Sequence, residues 1–114
     1  MQSRIMYIEC KSRGFEGDAR IGRVTFSKTG KTLHYRGKEF RSLKGRGFKA
    51  NHYDVATGEE YWISGPKRSG RDRLYGNSVD VVIDEDVRKE YWSVIRGKPE
   101  MARTIQTRGA KYSR

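Results

Sequence analysis

The chain is short of cysteine, of apolar residues and of acids, and each shortage removes a class of protein. Cys10 is the only cysteine among 114 residues, which excludes an intramolecular disulfide and any zinc site built on paired thiolates. No base stands near it in sequence, so Cys10 reads as a small apolar residue on a strand and not as a nucleophile. Apolar residues make up 34% of the chain, enough for one small core in one domain. No apolar run approaches the ~20 residues of a membrane span, and no apolar leader opens the sequence. The expectations are a cytoplasmic address and no membrane partner, with Met1 and Met6 both standing as candidate starts.

A cofactor motif is missing too. Lys28-Thr29-Gly30-Lys31-Thr32 ends like a phosphate-binding loop, but Thr25 occupies the place of the required first glycine and the segment reads as a hairpin. Asp84-Glu85-Asp86 offers carboxylates for Mg²⁺, yet helix capping accounts for them more simply. No metal and no cofactor are expected.

The shortage of acids says most about function. The chain has 25 Lys+Arg against 14 Asp+Glu, a formal net charge of +11, and such an excess attracts polyanions. Seven Tyr, four Phe and two Trp supply much of the apolar bulk and mark a folded chain, since disordered basic tails lack aromatics.

Strand patterns dominate up to about residue 83. Residues 5–8 predict a first strand and 20–26 a second, with Gly22 as a bulge where it interrupts the alternation. Gly30 turns the chain into a hairpin partner at 32–36, with Leu33 and Tyr35 on one face and His34 and Arg36 on the other. Residues 39–43, 48–55, 60–64 and 79–83 continue the series, separated by a basic glycine loop at 44–47, a turn at Gly58 and a long loop at 65–77. In the 60–64 strand Tyr61 and Ile63 share a face and Trp62 points away. Asp84 predicts the cap of a helix over about 84–96, with Val87, Tyr91, Val94 and Ile95 as its apolar stripe and Gly97 and Pro99 ending it.

The fold class is therefore mainly β (α+β). The expected architecture is a small, strongly bent antiparallel sheet or an SH3-like or OB-like barrel with one C-terminal helix. Residues 1–96 make the domain, and 97–114 make a flexible basic tail.

Charge is unevenly distributed along this plan. It is +8 over residues 1–83, −1 over 84–96 and +4 over 97–114. The helix is thus a poor groove reader, and the sheet and loops are the polyanion-facing parts. Lys28, Lys31, Arg36, Lys38, Arg41, Lys44, Arg46 and Lys49 stand against one acid, Glu39, and are expected to form one basic sheet face that grips phosphates. Lys67, Arg68, Arg71 and Arg73 make a second basic loop, in which glycines let backbone amides approach phosphate. Phe48, Tyr53, Trp62 and Tyr75, with Tyr61, are candidates to stack on unpaired bases.

Two other readings stand beside this one. His52 and Asp54 lie on one face of a strand, where the carboxylate orients the imidazole as acid or base. With His34 as a second acid–base and Lys49 and Arg46 as cations, they would make a small metal-independent ribonuclease or toxin. Alternatively, the charge serves a protein-binding inhibitor or ribosome-associated factor that docks on an acidic partner. The first expectation is a non-catalytic nucleic-acid-binding domain, with RNA or single strands favoured over duplex DNA because aromatics accompany the charge.

Four runs carry a resemblance: residues 19–31 (ARIGRVTFSKTGK), 40–51 (FRSLKGRGFKAN), 58–65 (GEEYWISG) and 72–76 (DRLYG). Together they make residues 6–96 similar to a family of small bacterial proteins of undefined role, some labelled 1-deoxy-D-xylulose-5-phosphate synthase. This chain contradicts that label, because it has neither the length nor a motif for a thiamine-diphosphate domain. The resemblance implies a small bacterial protein and supplies no site residues.

Overall fold

Six strands follow one another as a meander that closes on itself. In the computed structural model, which describes residues 2–12, 19–46, 50–72 and 81–107, they are β1 (Gln2–Cys10), β2 (Ala19–Phe26), β3 (Thr32–Tyr35), β4 (Lys38–Ser42), β5 (His52–Asp54) and β6 (Glu60–Ser64). Each pairs antiparallel with the next, and β6 pairs back onto β1. This is the expected small barrel with a C-terminal helical segment. Its strand order is a six-stranded meander, which sets it apart from the five-stranded Greek key of an OB-fold.

The barrel interior is filled by Ile8, Cys10, Val24, Leu33, Tyr35, Phe40, Tyr61 and Ile63. The Phe40 and Tyr61 rings meet edge to face at 4.8 Å. Alternation places these residues inward as expected, leaving His34 and Trp62 on the outer surface. Cys10 is a buried strand residue.

β1 and β2 also bury their outer faces. Ile5, Tyr7, Ala19 and Ile21 pack there against Val81, Ile83, Val87, Tyr91 and Trp92. Burial on both sides explains the unbroken apolar run at residues 5–8, since neither face is left to be polar. β3 pairs with β2 only at Thr25 and Phe26. The remaining edge of β2 is taken by β7 (Val81–Ile83), which runs parallel to it.

Several expectations need correction. The pairing of β1 with β2 runs unbroken from Gln2↔Phe26 to Glu9↔Ala19, so Gly22 is not a bulge. It is glycine because a Cβ there would run into the Tyr35 ring and the Asp84 carboxylate. Gln2 to Ile5 pair within that ladder, and Ile5 is in the core, so the segment ahead of Met6 belongs to the barrel. Arg36 lies in a turn and not on β3, with φ of 49° followed by 79° at Gly37. Two successive positive φ values match the right-handed twist of a two-residue hairpin.

The helix is composite. A 3₁₀ turn (Glu85–Val87) leads into one α-helical turn, α1 (Arg88–Glu90), and then into a π-helical segment (Tyr91–Ile95). Asp84 makes no side-chain cap, because its carboxylate is engaged inside the fold. Val94, expected in the apolar stripe, is 72% exposed, and Trp92 is buried in its stead. The tail also begins later than residue 97. Pro99–Met101 forms a 3₁₀ turn, and β8 (Gln106–Thr107) pairs with β7. Trp92 Nε1 donates to the Thr104 carbonyl at 2.9 Å, so residues up to 107 belong to the domain; residues 108–114 lie outside the described residues. No helix among the described residues is long and apolar enough to cross a membrane.

Candidate nucleic-acid interface

Strand register builds a row across the outer surface of the barrel. Thr32 of β3 lies opposite Arg41 of β4, and Arg41 lies opposite Tyr53 of β5. Directly opposed residues point to the same side, so these three side chains line one groove. Lys31, Lys44, Thr29 and Ser42 complete its lining, and it has a volume of about 400 Å³. The lining holds three cations, one aromatic ring and no carboxylate. Glu39 touches its border, with Oε2 at 4.0 Å from Arg41 Nε.

A second groove of about 500 Å³ lies across the β2–β3 turn and shares Thr29 with the first. Arg4 and Lys28 line it, and the Arg4 guanidinium stands 5.9 Å from the centre of the Phe26 ring. Arg4 was missed by sequence reasoning. It sits 24 residues before Lys28 in sequence, and only the long β1–β2 ladder brings the two together.

The basic block from Lys28 to Lys49 therefore does not form one face. Lys28, Lys31, Arg41, Lys44 and Arg46 are exposed around the end of the barrel that holds the β2–β3 turn and the loop after β4. Arg36 and Lys38 flank the β3–β4 turn at the opposite end. Lys31 and Arg36 are separated by the length of β3, about 16 Å at ~3.3 Å per residue. Lys49 lies outside the described residues.

The Lys67 loop is folded on itself. Gly70 N–H donates to the Lys67 carbonyl at 3.0 Å, and the Asp72 carboxylate accepts from the Lys67 amide at 2.7 Å. Burial pushes the Asp72 carboxyl up, against the opposing pull of that hydrogen bond. Lys67, Arg68 and Arg71 are exposed on this loop, and Arg73 lies outside the described residues.

Among the stacking candidates, Tyr53 is half-buried in the groove and Trp62 is 38% exposed on the neighbouring strand. Tyr61 points inward, its hydroxyl accepting from Lys38 Nζ at 3.2 Å, which takes it off the outer surface. Phe48 and Tyr75 lie outside the described residues.

The hydrolytic constellation is not assembled. His52 lies opposite Tyr61 and Asp54 opposite Phe40, so both face inward, whereas His34 faces out. The Asp54 carboxylate accepts from the Ala56 amide at 2.9 Å, closing the β5–β6 turn. His52 Nδ1 meets Asn51 Oδ1 at 2.9 Å instead. The Asn51 amide also accepts from the Ile63 N–H and donates to the Ile63 carbonyl, each at 2.8 Å, extending the β5–β6 ladder. With that oxygen already an acceptor, His52 Nδ1 is the donor. Burial draws the His52 pKa below its ordinary value.

No cluster of three His, Cys, Asp or Glu side chains is placed to hold a metal among the described residues. No known family model, curated protein or solved structure matches this chain.

Proposed function

We propose that this barrel is a non-catalytic nucleic-acid-binding domain that takes RNA or another single strand across the outer surface of β3, β4 and β5. The observation that carries the reading is the groove in which Lys31, Arg41 and Lys44 converge beside Tyr53 without a lining carboxylate. Three cations, of which only Arg41 has an ion-pair contact among the described residues, the 4.0 Å approach of Glu39, offer phosphate sites, and each phosphate bound releases condensed counterion. A ring beside them adds base stacking that is tolerant of sequence. Arg4 and Lys28 extend the positive end past the turn, and the Lys67–Arg71 loop adds further charge. The helical segment carries no part of the grip, in keeping with its slight acidity.

The test is an anisotropy titration of a labelled uridine-rich strand at several salt concentrations. Wild type should lose affinity as salt rises. The triple substitution Lys31→Gln, Arg41→Gln, Lys44→Gln should reduce the log–log slope by about 2, at ~0.7 per phosphate on a single strand. A flat slope for wild type, or an unchanged slope for the triple variant, rejects this interface.

A further inference from the structure

Arg36 and Lys38 stand at the opposite mouth of the barrel, beside a cavity of about 210 Å³. Its walls come from five of the six barrel strands: Ile8 and Cys10 from β1, Arg20 from β2, Tyr35 from β3, Phe40 from β4 and Tyr61 from β6. The opening is therefore the barrel's own axis and not a crevice between loops. Barrel mouths are a recurrent place for small ligands.

The charged groups at this mouth differ in how far they are already satisfied. Arg20 is committed to the buried Asp84 carboxylate, donating to Oδ1 from Nε at 2.8 Å and approaching it from Nη2 at 2.7 Å. Arg36 stands 3.6 Å from the same oxygen, and its side chain is 57% exposed, so most of its donors are unclaimed. Lys38 Nζ lies over the Tyr61 ring and donates to that hydroxyl, with no ion pair among the described residues. On the opposite wall Glu59 accepts only long contacts, from the Cys10 thiol at 3.9 Å and the Thr57 hydroxyl at 3.5 Å. Two partly satisfied cations thus share the mouth with Glu59, which together with Asp54 attracts the Lys38 ammonium without a direct ion pair.

We propose that this mouth binds a small, flat organic oxyanion, its head group on Arg36 and Lys38, its ring against Tyr61, and a hydroxyl or amino substituent donating to Glu59. The cavity is below the ~300 Å³ at which drug-sized pockets begin, which limits the ligand to a small metabolite. Glu59 repels a second anionic group and rewards a donor, so it selects among oxyanions as well as holding them. Carboxylate and phosphate ester share the head-group chemistry. This site is separate from the nucleic-acid groove at the other end.

The experiment uses the full chain, calorimetry and amide chemical-shift mapping, with four probes: 4-hydroxybenzoate, benzoate, phenyl phosphate and 4-hydroxybenzyl alcohol. 4-Hydroxybenzoate should bind and shift the amides around Arg36–Lys38 and Glu59–Tyr61. Benzoate should bind about tenfold more weakly, and the uncharged alcohol should not bind, as loss of a charge-assisted contact implies. Lys38→Met and Arg36→Gln should each weaken binding about tenfold, while Glu59→Gln should erase the preference for the hydroxylated acid. Tighter binding of phenyl phosphate than of benzoate would assign the head group to phosphate esters. All three positions lie at the rim, and amide spectra establish that each variant is folded. Absence of mouth shifts with every probe, or equal binding by wild type and Lys38→Met, overturns the proposal. Single-strand affinity, read separately, reports only on the groove.

Discussion

Gly22 occupies the one position on β2 where any side chain would collide with both Tyr35 and Asp84. The space it leaves lets the Tyr35 hydroxyl donate to Asp84 Oδ2 at 2.5 Å while Arg20 holds the other oxygen. Burial first, and then the Asp84 hydrogen bond and charge, push the Tyr35 phenol well above its ordinary range. Gly22→Ala should cost about 1–3 kcal/mol through overpacking, read from the urea midpoint. Asp84→Asn should cost about 1.5–3 kcal/mol as charged hydrogen bonds are lost. The double variant should lose less than the sum, because both changes break one network; strict additivity would dismiss the network. His52 gives a second residue-scale prediction. Its folded pKa lies below the ordinary 6.5, so the unfolded chain takes up the proton at higher pH than the folded one. That contribution is complete above about 6.5 and is lost as pH falls through the window beneath it. Urea midpoints should decline as the buffer is taken below that value, and His52→Gln should flatten the decline. An identical profile in the variant would assign the pH dependence elsewhere.

At the scale of elements, the β3–β4 turn and the helical segment show local chemistry serving distant contacts. Arg36 holds a left-handed conformation that asparagine or glycine adopts more readily. Arg36→Asn should therefore raise stability by about 0.5 kcal/mol while removing a cation from the barrel mouth. A denaturation midpoint that drops would contradict this account of the turn. In the helical segment the wider π winding, with Arg96 N–H donating to the Tyr91 carbonyl at 3.0 Å, accompanies a face made of Val87, Tyr91 and Trp92. The Arg96 guanidinium then lies over the Trp92 ring at 4.8 Å and donates to Thr107 at 3.1 Å. It fills the space beside Gly70, where a Cβ would strike it. Truncation after residue 103 removes the Thr104 carbonyl from Trp92 and β8 from β7. The truncated chain should unfold at a clearly lower temperature, whereas an unchanged transition would show β8 to be dispensable.

Over the whole molecule, charge is segregated between two ends of one barrel. Six cations (Arg4, Lys28, Lys31, Arg41, Lys44 and Arg46) ring the end bearing the groove, whereas at ~3.3 Å per residue Arg36 stands about 16 Å from Lys31 along β3 and Lys38 about 10 Å from Arg41 along β4. Both separations exceed the screening length of ~8 Å at physiological salt. The double substitution Arg36→Gln, Lys38→Gln should leave the salt slope for single strands unchanged, while the groove substitutions reduce it. Equal effects from both sets would mean that net charge alone drives binding, with no defined interface.

Much of this was legible in the sequence wherever one face of an element is buried and the other is not. The alternation of Leu33, His34 and Tyr35, or of Tyr61, Trp62 and Ile63, sorts inside from outside because the strand period is two. The glycine turns and the end of the helical segment at Gly97 are similarly local. Net charge and the single cysteine also follow from sequence alone. Tertiary structure decided the rest, through contacts between residues far apart in the chain. It drew Asp84 from a helix cap into a network with Arg20 and Tyr35, and it made Gly22 a matter of space. It separated His34 from His52 across the sheet. It also divided one basic run of sequence between a groove and a barrel mouth, because a hairpin sends neighbouring residues to opposite ends of its strands, and only closure of the barrel determines what each end meets.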